Sequence, residues 1–139
     1  MSARPLKIPS SIKKAHREAA ATRKKSYSPY SKFKVGAAVI TTQGKVFSGC
    51  NVENASYGGT ICAERSAVMK AVSEGHQSFT DIMIVTDAKQ STPPCGMCLQ
   101  VLSEFCTPDT RVWLANPKKI LDIYFLSNLL PVSFGPSSF

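Results

Sequence analysis

Cys95-Gly96-Met97-Cys98 sets two thiols three residues apart, on one face of any helix that contains them. Alone, the pair suits a structural zinc knuckle, a thioredoxin-like dithiol or half of a catalytic zinc site. Cys62-Ala63-Glu64, 33 residues upstream, decides among them. Three cysteines make three ligands, and no fourth stands at paired spacing. A zinc ion with three protein ligands keeps one coordination position open, which is the catalytic arrangement. Glu64 supplies a carboxylate that can move protons beside that position. His16 lies in a basic stretch and His76 just past a glycine, so both read as surface residues rather than ligands.

The elements that position these residues follow from local pattern. Cys62 and Glu64 are two apart and would point nearly opposite ways inside a helix, so Cys62 must stand at the helix mouth. Helix N-termini also place partial positive charge near the thiolates. Three thiolates around a divalent ion leave one net negative charge, and Arg65 with the helix termini can offset it. Pro9-Ser10-Ser11 opens a serine-capped helix running to about Lys25, stopped by Ser26-Tyr27-Ser28-Pro29-Tyr30. Residues 33–41 read as a buried strand, turned by Thr42-Gln43-Gly44-Lys45 into a second over 46–51. A helix from about Cys62 to Glu74 ends at Gly75. A short apolar strand over 81–86 precedes a helix over 95–105, with Cys98, Val101, Leu102 and Phe105 at helical spacing. Strands over 111–115 and 120–124 and a short last helix complete an αββαβαββ order. That order predicts an α/β fold with a mixed sheet and helices packed on its faces.

One domain is expected over residues 1–139, with a basic tail at about 1–9. The 43% hydrophobic and 19% charged composition is globular, and excludes collagen-like and disordered classes. No apolar run approaches the roughly 20 residues of a membrane span, and no secretory h-region follows the basic start. A soluble cytoplasmic protein is the expectation. Five cysteines then read as reduced thiols, with Cys50 and Cys106 as small buried hydrophobes. The net charge of +8 is uneven: residues 1–34 carry ten basic side chains against Glu18 alone. That excess could attract phosphates, but no nucleic-acid motif accompanies it, and a solvated helix face is the simpler reading.

The C-A-E and P-C-x-x-C pair is the zinc deaminase pattern. Phe33-Lys34-Val35-Gly36-Ala37-Ala38-Val39, the run from Gly49 to Tyr57, Ile61-Cys62-Ala63-Glu64-Arg65 and Ser133-Phe134-Gly135-Pro136 extend the match. Across about residues 10–136 the chain resembles the small homotetrameric zinc-dependent cytidine deaminases. The resemblance implies a three-layer αβα fold with a mixed five-stranded sheet and one Zn²⁺ per chain on Cys62, Cys95 and Cys98. It implies attack of zinc-bound hydroxide at C4 of cytidine or 2′-deoxycytidine with Glu64 as proton shuttle, in pyrimidine salvage. The Ala63 N–H would hold the pyrimidine O2, Phe33 would stack on the base, and Asn51 and Glu53 would bind the ribose hydroxyls. Tyr57 and Phe134 would come from neighbouring subunits of a homotetramer with shared sites, and Arg65 would hydrogen-bond the zinc cysteines.

Leu99 stands where the family commonly has arginine, which throws more weight on Arg65. The partner implied is a small nucleoside, with no membrane. An alternative is a deaminase acting on cytosine in single-stranded DNA or RNA, disfavoured because a ribose-capping Asn51 and Glu53 leave little room for a strand.

Overall fold

A computed structural model describes residues 7–139, so most of the expected basic tail lies outside the described residues. The elements are α1 (Ser10–Arg23), β1 (Gly36–Thr41), β2 (Val46–Cys50), α2 (Ala63–Ser73), β3 (Phe79–Val85), α3 (Gly96–Phe105), β4 (Arg111–Ala115), β5 (Ile120–Phe125) and α4 (Leu126–Leu129). The sequence order of helices and strands is the one expected. The sheet runs β2-β1-β3-β4-β5, with β3–β4 parallel and the other pairs antiparallel. Among the described residues, no helix is long and apolar enough to cross a membrane.

Alternation along the strands sends successive side chains to opposite faces. Ala38, Ile40, Met83, Val85 and Trp113 pack with Ile12, Ala15 and Ala19 of α1. Ala37, Val39, Ile82, Ile84, Val112 and Leu114 pack with Ala67, Val68 and Ala71 of α2 and Leu102 of α3. Both faces are covered, so β1 is buried along its whole length and shows no polar alternation. The result is a mixed five-stranded sheet between helices, as the sequence implied.

Several boundaries shift by one to three residues from expectation, β3 for one starting at Phe79 rather than 81, and two of the shifts have a visible local cause. No serine caps α1: Pro9 is the N-cap residue, its carbonyl accepting from Ile12 and Lys13 N–H at 3.1 Å each, and Ser10 is already helical. Proline's fixed φ suits that entry without a side-chain cap. The first strand starts at Gly36 rather than Phe33 because Asn51 replaces the ladder there. Its Oδ1 accepts from Val35 N–H at 2.9 Å, and its Nδ2 donates to the Phe33 carbonyl at 2.8 Å. Gly75 does end α2 as expected, at φ 93°.

Register fixes where a site can form. Gly36 lies opposite both Cys50 and Val85, so β1 begins where β2 and β3 end. The chain leaving β2 runs into α2, and the chain leaving β3 runs into α3, so both helices start at that edge. Gly36 also marks the closest approach of α1, since a Cβ there would lie 2.0 Å from the Ala19 carbonyl oxygen and 2.8 Å from Arg23 Cβ. The first contact is backbone and cannot swing away. We predict that Gly36→Ala lowers stability by about 1–3 kcal/mol through overpacking. Denaturant unfolding measures it, and an unchanged midpoint would contradict so tight an approach.

Candidate active site

Cys62 and Cys95 are the N-cap residues of α2 and α3, both extended, with ψ of 156° and 167°. That is the helix-mouth position the two-residue spacing of Cys62 and Glu64 demanded. Cys98 lies one turn into α3 and is buried, while Cys62 is half-buried and Cys95 exposed. The three Sγ atoms lie within 4.8 Å of one another, and Cys62 and Cys95 Sγ are 3.9 Å apart. Tetrahedral zinc with Zn–S bonds of about 2.3 Å sets its sulfur ligands about 3.8 Å apart. The Cys62–Cys95 pair already stands at that spacing, and three converging thiols are a donor set suited to zinc.

Charge around the sulfurs is arranged for thiolate. The Cys62 thiol is pulled down to about 5, chiefly by hydrogen bonding with Cys98, with Arg65 and Cys95 adding to it. Cys98, bonded to Cys62 and buried, is pushed up. Arg65 Nη2 reaches Cys62 Sγ at 3.4 Å and the Thr60 carbonyl at 3.5 Å. Its Nε is buried with no hydrogen-bond partner among the described residues, so the guanidinium serves the sulfurs through the Nη2 hydrogen bond to Cys62 first and through its charge second. Leu99 packs partly buried against the α2–α3 core and supplies no charge, leaving Arg65 as the cation beside the cluster.

Glu64, in the first turn of α2, is only 5% exposed. Burial pushes its carboxyl above the usual carboxylate range, and the Cys62 thiolate charge adds to this, against hydrogen bonding from Cys98 and attraction by Arg65. A buried carboxyl raised in this way is suited to carrying a proton between two partners. Ala63, fully buried, is the first helical residue of α2, where the amide has no intrahelical partner.

Cys62, Ala63, Glu64, Phe33, Asn51 and Glu53 all line one cavity of about 250 Å³. Ser31, Val35, Thr60, Ile84, Thr92 and Pro93 complete it and had no sequence signal as site residues. Val35 and Ile84 look like ordinary core residues; Ser31, Thr92 and Pro93 carried only their nearness to Phe33 and Cys95. Asn51 departs from the reading of a free sugar ligand. It is 8% exposed, and Ser26 Oγ and Val35 N–H both donate to its Oδ1. One of its two Nδ2 hydrogens is also spent, on the Phe33 carbonyl, so a single N–H remains for a ligand.

Tyr57 and Phe134 do not reach this cavity within the chain. Tyr57 is 77% exposed, its ring edge-on to Tyr30 with centroids 6.0 Å apart. Phe134 is 62% exposed and pairs with Phe139, and its carbonyl accepts from Gln100 Nε2 at 3.0 Å. His16 Nε2 lies 2.7 Å from the Asn116 carbonyl and His76 packs on the Phe47 ring, so neither joins the sulfurs. Cys50 and Cys106 are half-buried rather than buried. Cys106 packs against the core, where burial pushes its thiol up to about 12.

Residues 9–114 match the family model described as the cytidine and deoxycytidylate deaminase zinc-binding region. A cytidine deaminase of Halalkalibacterium halodurans is 48% identical over 118 residues, covering 85% of this chain and 89% of its own. One of Sporosarcina psychrophila is 42% identical, covering 89% and 91%. The crystal structure of cytidine deaminase from Burkholderia pseudomallei superposes with a TM-score of 0.83 at 44% identity, covering 88% of this chain and 98% of that one. The sulfur cluster and the zinc-binding family model agree on the metal.

We predict that Cys98→Ala, which removes the buried ligand of the three, loses bound zinc and some thermal stability together. Metal analysis and melting read both. A variant that retains a full equivalent of zinc would show that the cluster is not the metal site.

Proposed function

The chain belongs to the cytidine and deoxycytidylate deaminase zinc-binding family, and on that premise we propose that it hydrolyses cytidine and 2′-deoxycytidine to uridine and 2′-deoxyuridine with release of ammonia. The observation that carries this reading is the buried Glu64 carboxyl, raised by burial, on the wall of the same cavity as Cys62. Zinc on Cys62, Cys95 and Cys98 supplies Lewis acidity that makes water a nucleophile near neutral pH. Glu64 accepts a proton from the attacking water and delivers it to N3 of the base. It then relays a second proton to the amino nitrogen as the C4–N bond breaks and ammonia leaves. The Ala63 N–H, unspent at the helix start, takes the pyrimidine O2, and Phe33 offers its ring to the base. Glu53 accepts from a sugar hydroxyl, and the one free Asn51 N–H donates to a sugar oxygen.

Tyr57 and Phe134 fit this reading as residues that neighbouring subunits of a homotetramer contribute to one another's cavities. Large exposed aromatics on a small chain call for a partner surface. A role in cytoplasmic pyrimidine salvage follows from the nucleoside substrate. Cytosine in a DNA or RNA strand is disfavoured, because a carboxylate holding the sugar hydroxyls would repel the neighbouring phosphates.

Two outcomes test the reading. Glu64→Ala should keep about one zinc per chain and lose at least the 10²–10⁴-fold that a general acid–base residue contributes, because Glu64 is used more than once per turnover. Substantial residual turnover of cytidine in that variant would sink the mechanism. Deleting residues 132–139 should raise KM for cytidine and weaken the assembly seen by sedimentation, with zinc still bound. A truncated monomer with unaltered KM would refute the shared cavity.

A further inference from the structure

Glu53 is held by a neighbour that the reaction itself does not require. Its Oε1 accepts from the backbone N–H of Tyr30 at 2.9 Å and of Ser31 at 3.1 Å. Its Oε2 accepts from Ser31 Oγ. A serine hydroxyl has one hydrogen to give, and here an ionised carboxylate takes it. The rotor is fixed from its other side, since Phe33 N–H donates to the same Ser31 Oγ at 3.0 Å. Lys32 between them sits at φ 58°, a left-handed conformation uncommon outside glycine. That reversal turns the Phe33 amide back onto the hydroxyl. Asn51 closes the ring by donating to the Phe33 carbonyl, two residues before Glu53 on the same extended segment. Ser31 lines both the main cavity and the adjoining cleft walled by Tyr30, Tyr57 and Thr60.

We infer that Ser31 is the positioning residue for the Glu53 carboxylate, and through it a determinant of how strictly the cavity demands a hydroxylated sugar. The inference rests on the reading of Glu53 as the group that accepts from sugar hydroxyls. The backbone donors alone fix Oε1 but leave the carboxylate free to turn about its own axis. The Ser31 hydroxyl removes that freedom, and with three of the four acceptor sites spent it leaves one site on Oε2 for a ligand in the cavity that Glu53 lines. The same hydrogen bond is the largest influence holding the Glu53 carboxyl below the usual range, with the two backbone donors and the Lys32 charge assisting and burial opposing. An acceptor that stays ionised and fixed loses little on binding, whereas a mobile one must be ordered each time.

The test uses the zinc-loaded enzyme with cytidine and with 2′,3′-dideoxycytidine, which lacks the hydroxyls Glu53 would hold. Ser31→Ala should raise KM for cytidine about tenfold, the scale of a hydrogen bond to a charged group, with kcat moving far less. KM for the dideoxy compound should change by less than about twofold, so discrimination between the two substrates shrinks. Ser31→Thr, which keeps the hydroxyl, should recover most of the loss. In a Glu53→Gln background, Ser31→Ala should add little, as expected of residues acting as one unit. Equal losses on both substrates, or a loss in Ser31→Ala that Thr does not rescue, would mark a merely structural serine and overturn the inference. An unchanged KM in Ser31→Ala, with KM raised in Glu53→Gln, would overturn the inference while leaving the sugar reading intact. An unchanged KM in Glu53→Gln would overturn the sugar reading itself, and the inference with it.

Discussion

Three sulfur atoms must meet within about 4 Å around one small cation, and no single helix can bring them there. An i, i+3 pair supplies two sulfurs from one helix end; the third must arrive from another. The rest of the architecture answers that requirement. β2 and β3 end at the same edge of the sheet because β1 pairs with both in antiparallel register. Each strand feeds a helix that begins with an extended cysteine, so two helix mouths converge and bring Cys62 and Cys95 Sγ to 3.9 Å. The convergence also places two sets of unpaired amides beside the sulfurs, which is electrostatically favourable for thiolates.

That geometry also decides what lies behind the sulfurs. The first turn of α2 packs into the core, so Glu64 and Ala63 are buried as a consequence of holding Cys62 in place. Burial is then the largest influence raising the Glu64 carboxyl, with the nearby Cys62 charge adding to it. The sulfur cluster and the buried carboxyl are thus two results of one packing arrangement. The segments around the opening are held differently. Val52 exchanges backbone hydrogen bonds with Ile61 at 2.9 Å in each direction, and Glu53 N–H donates to the Tyr27 carbonyl at 2.8 Å. These bonds stitch the residues before β1, after β2 and before α2 into one wall. Arg23 ties the same region to the loop after β3, donating to the Lys34 carbonyl at 3.1 Å and pairing with Asp87 at 3.0 Å.

Much of this was legible in the sequence, for identifiable reasons. Cysteine spacing is geometric, so the pair at 95 and 98 and the helix-mouth placement of Cys62 could be derived before any coordinates. Helical periodicity located α3, and Gly75 marked the end of α2. What escaped was set by tertiary partners. Nothing local says that the Asn51 side chain would stand in for a ladder bond and delay β1 by three residues. Nothing in a lysine announces a left-handed φ at Lys32, since only the Phe33 amide and the Ser31 hydroxyl make that conformation worth adopting. Val35 and Ile84 reach the cavity as core residues whose faces the register exposes, and composition cannot separate them from their buried neighbours.

The two ends of the cavity therefore obey different rules. At the sulfur end, position is fixed by helix starts and core packing, so the cysteines cannot shift without moving α2 or α3. At the opposite end, Glu53, Ser31 and Phe33 are partly exposed and set by hydrogen bonds between neighbouring loop segments. Losing one such bond can move a carboxylate without unfolding the sheet. On the proposed reading, chemistry sits in the tightly packed part of the molecule and ligand discrimination in the part set by loop hydrogen bonds. Asn51 bridges the two: its Oδ1 is spent on the wall and one of its two Nδ2 hydrogens is left unspent. A residue so committed cannot reorient without giving up those bonds, so on the proposed reading a change in sugar preference comes through Glu53 and the groups that aim it.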